Sequence, residues 1–195
     1  MRASLADQAD AVAAQLQRPG TLAIALGANV PSAAGQPAET LLAVRPLLEQ
    51  TLQGWVGGGH GLRLCWSPLI QTAPVGGPAG QPDYVNGALL VELPEGPLSP
   101  VPSAPAALRL LQQLQQLESQ FGRPPLAERV HWGPRSLDLD WLWWGALELD
   151  LPATAETPAL QLPHPLWCER EFVLAPLRAI AGLTAGFTSG VTTAD

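Results

Sequence analysis

The sequence predicts an α+β sandwich, with helices packed on a mostly antiparallel sheet. Three observations predict it. Segments of alternating apolar and polar residues, as in half-buried strands, are interleaved with segments of helical period, and no internal repeat interrupts the order. At 195 residues, 47% of them apolar, the chain is long enough for one domain with a sizeable core. No apolar run reaches the ~18 residues of a membrane span.

Element by element, residues 4–17 carry apolar side chains at helical spacing and stop at Pro19-Gly20, which predicts a short helix. Residues 21–26 read as a buried strand. Residues 38–53 read as a helix, with Pro46 expected to disturb it. Gly57-Gly58-Gly59 is a loop, residues 62–72 a strand, and residues 76–82, rich in Gly and Pro, a mobile loop. Residues 84–93 alternate as a strand does, and residues 94–105, with five prolines, form a connector. An amphipathic helix with a Gln-rich face follows over 106–121, then a strand over 137–144 and a short helix over 172–180. The tail after Gly182 is small and polar.

The strand over 137–144 carries the chemistry. Alternate side chains of a strand share a face, so Asp138 and Asp140 point one way while Leu137, Leu139 and Trp141 point the other. Two carboxylates ~6.6 Å apart repel by roughly 2.5 kcal/mol at an effective dielectric of ~20. Mg²⁺, which takes one or two carboxylates together with substrate phosphates, would turn that repulsion into attraction. A strand with a wet acidic face is the plainer account of Asp-x-Asp alone. The neighbours bear on the choice: Trp132, the turn Gly133-Pro134 and Arg135 lie just upstream, Gly122-Arg123 before them, and Leu162-Pro163-His164-Pro165 with Arg170 and Phe172 downstream. An arginine beside an acid pair is either a salt bridge or the cationic half of a phosphate site.

Composition narrows the classes. A net charge of −7 argues against nucleic acid as partner. All ten basic residues are Arg, so a Walker-type phosphate loop and a lysine Schiff base are excluded, and any bound phosphate must be held by arginine and metal. Two cysteines, Cys65 and Cys168, suit a reducing compartment and lack the spacing of a zinc site. The first ten residues contain Asp7 and Asp10 and no apolar core, unlike a secretory signal, so the cytoplasm is expected.

Taken in order, several pieces of the chain resemble the 6-hydroxymethyl-7,8-dihydropterin pyrophosphokinase family of folate biosynthesis. They are Ala25-Leu26-Gly27-Ala28-Asn29, Gln71-Thr72-Ala73-Pro74-Val75-Gly76, Gln81-Pro82-Asp83-Tyr84-Val85-Asn86, Glu118 with Gly122-Arg123, the stretch from Trp132 to Asp140, and Pro163-His164 through Arg170 and Phe172. The resemblance covers roughly residues 21–182, leaving 1–20 as an N-terminal extension and 183–195 as a tail. It implies a ferredoxin-like sandwich and transfer of pyrophosphate from ATP to 6-hydroxymethyl-7,8-dihydropterin, giving AMP and the pterin diphosphate. A non-catalytic pterin- or nucleotide-binding homologue is the alternative.

The same resemblance implies the site. Arg123, Arg135, Asp138 and Asp140 would be catalytic, and Asp138 and Asp140 would hold two Mg²⁺. Thr72, Pro74, Val75, Tyr84, Asn86 and Phe172 would bind the pterin, the two rings stacking on it and the Asn86 amide meeting its edge. Glu118, Arg123, Arg135, His164 and Arg170 would bind ATP. Partners would be these small molecules only, and a monomer is expected. The chain departs from the family at Pro124-Pro125-Leu126, where a basic residue is usual, and at His131, where Arg often precedes the Trp; Arg129 stands nearby as a substitute.

Overall fold

Thr21 opens the strand around which the chain is organised. The computed structural model describes residues 3–57, 61–94, 99–154 and 157–182; Gly58 and Gly59, connector residues 95–98 and the tail over 183–195 lie outside them. In chain order the elements are α1 (Leu5–Leu16), β1 (Thr21–Ala28), α2 (Pro37–Trp55), β2 (Arg63–Trp66), β3 (Ile70–Thr72), β4 (Tyr84–Glu92), α3 (Ala104–Gln120), β5 (Asp138–Trp144), β6 (Leu149–Leu151), β7 (Leu160–Leu162) and α4 (Glu171–Ile180), with short 3-10 turns at Leu126–Glu128 and Trp167–Glu169.

The main sheet is antiparallel throughout, in the order β2-β4-β1-β5, with β3 also paired to β4. The series β1, α2, β2, β4, α3, β5 is the split β-α-β arrangement of a ferredoxin-like sandwich. One face is dry. Leu22, Ile24 and Leu26 of β1, Leu89 and Val91 of β4, and Leu139 and Trp141 of β5 meet α2 through Leu41, Val44, Leu48 and Leu52, and α3 through Leu110, Leu114 and Leu117. Each such aliphatic contributes ~1.5–3 kcal/mol on burial. Trp55 closes this core: its indole N–H donates to Ala106 O at 3.0 Å, and its ring packs edge-on against Trp141 and Trp144.

The opposite face bears a second helical layer. Ala9, Val12 and Leu16 of α1 and Val173, Leu174 and Leu177 of α4 cover Ala23, Ala88, Leu90, Leu142 and Trp143. The helix α1 is fixed at its start by a reciprocal cap between Ser4 and Asp7, and beyond its end by the Thr21 hydroxyl, which donates to Leu16 O at 2.8 Å. This layer reaches only part of the sheet and leaves uncovered the end of β1 near Gly27.

Several expectations are corrected. The strand over 62–72 is two strands, because Pro68 offers no N–H to the ladder and the Ser67 hydroxyl, in place of its carbonyl, accepts the Ala88 N–H at 2.9 Å. Pro46 does not disturb α2: it lies on the exposed side, as does Leu42, whose carbonyl loses its partner and can turn to water. Pro105 belongs to the first turn of α3, so the connector ends at Ser103. The ribbon β6-β7 has strands of three residues, too short for a periodic pattern to announce.

Candidate active site

Small residues make the floor of the site. On β1 the residues facing away from the dry core are Ala23, Ala25 and Gly27. Gly27 is paired with Asn86 of β4 on one side and Asp138 of β5 on the other, and Ala25 with Asp140. A Cβ on Gly27 would stand 3.3 Å from Asn86 Oδ1 and 3.9 Å from both Asp138 Cβ and Tyr84 Cδ1, so glycine keeps the space between these groups open.

Above this floor lies a cavity of about 340 Å³, lined by Ala25 and Gly27 of β1, Thr72, Val75, Tyr84, Asn86, Arg135, Asp138, Asp140, Arg170 and Phe172 among others. Tyr84 and Asn86 share the face, as their spacing requires. The Asn86 amide donates to Thr72 Oγ1 at 2.8 Å, and the Tyr84 hydroxyl donates to Gly133 O at 3.1 Å. Arg170 lies over the Phe172 ring at 5.7 Å. Pro74 does not line the cavity; its neighbours Ala73 and Val75 do. A second cavity, about 190 Å³, lies on the other side of the carboxylates and is lined by Glu118, Arg123, Arg129, residues 158–161 and His164. Asp138 and Asp140 line both cavities. Arg170, grouped with the nucleotide residues on sequence grounds, belongs to the first cavity and not the second.

The charges are paired in a definite way. Asp138 accepts from Arg123 on one oxygen and from Arg135 Nη1, at 2.5 Å, on the other. Burial alone would raise its pKa, but the two guanidinium groups outweigh burial and hold it below the ordinary carboxylate range. Among the described residues no cation is hydrogen-bonded to Asp140, and burial, reinforced by the charge of Asp138, pushes it up to about 7. Glu118 is also raised, first by burial and then by Asp138. It anchors Arg123 at 3.0 Å and Arg129 at 3.2 Å and accepts the Leu139 N–H at 2.9 Å. His164 accepts the Leu166 N–H on Nδ1, and burial lowers its pKa, with Arg170 adding to the effect.

Among the described residues no three His, Cys, Asp or Glu side chains converge as a metal cage. The donor set is two carboxylates on one face, hard oxygen ligands with room left over. That fits Mg²⁺, which keeps waters and shares substrate phosphates, and does not fit a closed zinc site.

Three residues of the site lie outside the catalytic, pterin and nucleotide sets named on sequence grounds. Asn29 pins the loops together: its amide donates to Pro82 O at 3.1 Å, and its Oδ1 accepts the Arg135 N–H at 2.8 Å. Gln81 Nε2 bridges the carbonyls of Gly76 and Trp132, at 3.3 and 3.0 Å. Trp132 is half-exposed, lines the first cavity, and holds a left-handed backbone at φ 51°. A Cβ at Gly76 would meet its ring at 2.6 Å, so the two loops rest on each other only because glycine stands there. The Gly-Ala-Asn and Gln-Pro-Asp-Tyr pieces contained the signal for Asn29 and Gln81, without the partners that give it meaning.

Comparison with known proteins adds to this geometry. The family model for 7,8-dihydro-6-hydroxymethylpterin-pyrophosphokinase matches residues 23–182, most of the chain. Similar curated proteins bear the name 2-amino-4-hydroxy-6-hydroxymethyldihydropteridine pyrophosphokinase. One from Synechocystis sp. is 41% identical over 52% of this chain and 42% of its own length. One from Pseudomonas aeruginosa is 36% identical over 59% of each chain, and one from Haemophilus influenzae is 32% identical over 83% of this chain and 81% of its own. The matched part of this chain thus spans less than two thirds of the first two relatives.

Proposed function

Since this chain belongs to the 7,8-dihydro-6-hydroxymethylpterin-pyrophosphokinase family, we propose that it transfers the pyrophosphoryl group of ATP to 6-hydroxymethyl-7,8-dihydropterin, giving AMP and the pterin diphosphate. The observation that carries the reading is the pair Asp138 and Asp140 lining two cavities at once. A two-substrate transfer needs its charge-neutralising group between the substrates, within reach of both.

In this reading the pterin occupies the first cavity, between the rings of Tyr84 and Phe172, with Asn86 and Thr72 at its edge. Offset stacking on each ring contributes ~0.5–1.5 kcal/mol beyond area burial. ATP lies toward Glu118, Arg123 and His164, and Arg170 reaches its phosphates from the first cavity. Mg²⁺ at Asp138 and Asp140, two ions in this proposal, would supply the positive charge that the transferring phosphates require. Arg123 and Arg135 then exchange Asp138 for phosphate oxygens. They follow the charge as the hydroxymethyl oxygen bonds to the β-phosphorus and the bond from that phosphorus to the α,β-bridging oxygen breaks. The hydroxyl proton passes to solvent, since such a transfer asks little proton chemistry of the protein. Arg129, held by Glu118, supplies charge in the loop where the chain departs from the family. Two free thiols agree with a reducing cytoplasm, and a monomer suffices because one chain supplies every group invoked.

The test is AMP release with and without the pterin. Pterin-dependent AMP is expected, with a loss of about a hundred- to a thousandfold in Arg123→Ala. Tight binding of both ligands without AMP would make the chain a binding homologue instead.

A further inference from the structure

The helix α1 lies wholly before residue 23, where the family match begins. It packs against the wall of the first cavity all the same. Its buried residues Ala9, Val12 and Leu16 cluster with Trp167, Val173, Leu174 and Leu177, and it touches both the Trp167–Glu169 turn and α4. The other side of that same stretch presents Leu166, Glu169, Arg170, Phe172 and Val173 to the cavity. Val173 belongs to both sets, so one layer of side chains separates α1 from the ligand space.

We propose that α1 positions this wall, with Val12 and Leu16 as the positioning residues, and thereby sets affinity for the flat substrate of the first cavity; the proposal rests on the assignment of that cavity to the pterin. The wall has little rigidity of its own. It consists of one 3-10 turn and a ten-residue helix whose interior Pro176 supplies no N–H. A helix of that length is marginal in water and is ordered by what it packs on. Its backbone is tied to the sheet through His164, whose N–H donates to Leu142 O at 2.7 Å. The sheet supports it from beneath, through β4 against α4 and the Trp143 ring 5.3 Å from that of Trp167, and α1 packs against the same turn and helix as the second support. At twelve residues α1 is itself marginal, so its docking and the order of the wall are coupled. The second cavity draws no lining residue from α1 or from residues 166–173, so the effect should fall chiefly on one substrate and touch ATP only through Arg170.

The experiment uses the full chain with Val12→Ala, Leu16→Ala and the conservative Val12→Ile, each checked for folding. A non-hydrolysable ATP analogue is titrated by calorimetry, then the pterin with that analogue saturating. Hydrogen exchange is followed over residues 166–177 and 118–123. We expect the two alanine variants to weaken pterin binding about tenfold, the analogue less than twofold, and Val12→Ile to restore the wild-type value. Exchange should quicken over 166–177 alone. Equal losses for both ligands, or unchanged pterin affinity in folded variants, would overturn the inference and leave the assigned function standing. A wild-type chain that binds the analogue and not the pterin would instead overturn the assigned function.

Discussion

On β1, the residues that face α2 and α3 are Leu22, Ile24 and Leu26; those that face the other way are Ala23, Ala25 and Gly27. On β5 the same alternation sets Leu139 and Trp141 against Asp138 and Asp140, and on β4 it sets Leu89 and Val91 against Asn86 and Ala88. One face is filled with large apolar groups throughout; the other is filled under α1 and α4 by Leu90, Leu142 and Trp143, and at the end near Gly27 it is kept small and then given charge. The difference teaches how a two-residue period divides labour. The filled face supplies the stability that allows the hollow face to hold buried acids, which by themselves cost stability.

That division can be broken in order of effect. Asp140→Ala and Asp138→Ala should each lower turnover by about a thousandfold or more, since charge neutralisation by metal is worth several kcal/mol in the barrier. Steady-state kinetics on folded protein measures this, and near-wild-type rates in both variants would remove the acids from the mechanism. On the filled face, Leu89→Ala should destabilise the fold by about 2–5 kcal/mol in a denaturant titration. Ligand affinity per folded molecule should stay as it was; an equal fall in affinity would mean that the two faces are not independent. Asn86→Ala, on the hollow face, should weaken pterin binding roughly ten- to a hundredfold, because a polar edge left unpaired costs ~1–3 kcal/mol. ATP affinity should change far less, and a comparable loss for ATP would contradict a dedicated slot.

The smallest effect sharpens the comparison through pH. With Asp140 raised to about 7, the folded metal-free chain keeps a proton between pH ~4 and ~7 that the unfolded chain has released. Its contribution therefore falls as pH rises through that window. Asp138 has the opposite sign: its depressed pKa gives stability that is lost only as pH falls below the ordinary carboxylate range. In thermal scans with chelator, Asp140→Asn should exceed wild type by a few degrees at pH 8 and converge with it toward pH 4. A gap that does not change with pH would show that the carboxyl is not strained by its surroundings.

Much of this was legible beforehand. Period two put Asp138 and Asp140 on one face and the leucines on the other, and it put Tyr84 beside Asn86. The helices were readable from their spacing, but their destinations were not: nothing in residues 4–17 says that α1 completes a layer with α4. Site geometry was illegible where it depends on contacts distant in sequence. Gln81 meets Trp132 51 residues away, Asn29 meets Arg135 across 106, and Glu118 reaches the Leu139 N–H across 21. A residue type states what a side chain can bond; only the fold states with whom. Arg170 shows the limit, since the sequence grouped it with Glu118, Arg123 and His164, which line the second cavity, while it lines the first.

β5 is the last strand of its sheet, a margin of the kind along which separate molecules can join where nothing covers it. Its outward Leu139 N–H is taken by the Glu118 carboxylate and its Leu142 carbonyl by the His164 N–H. The residues that frame the second cavity thus also seal the margin against strands from other copies of the chain. Loss of Glu118 would take an ion-pair partner from Arg123 and from Arg129 and uncover a free donor together, so the price of damaging this corner is counted in self-association as well as in turnover.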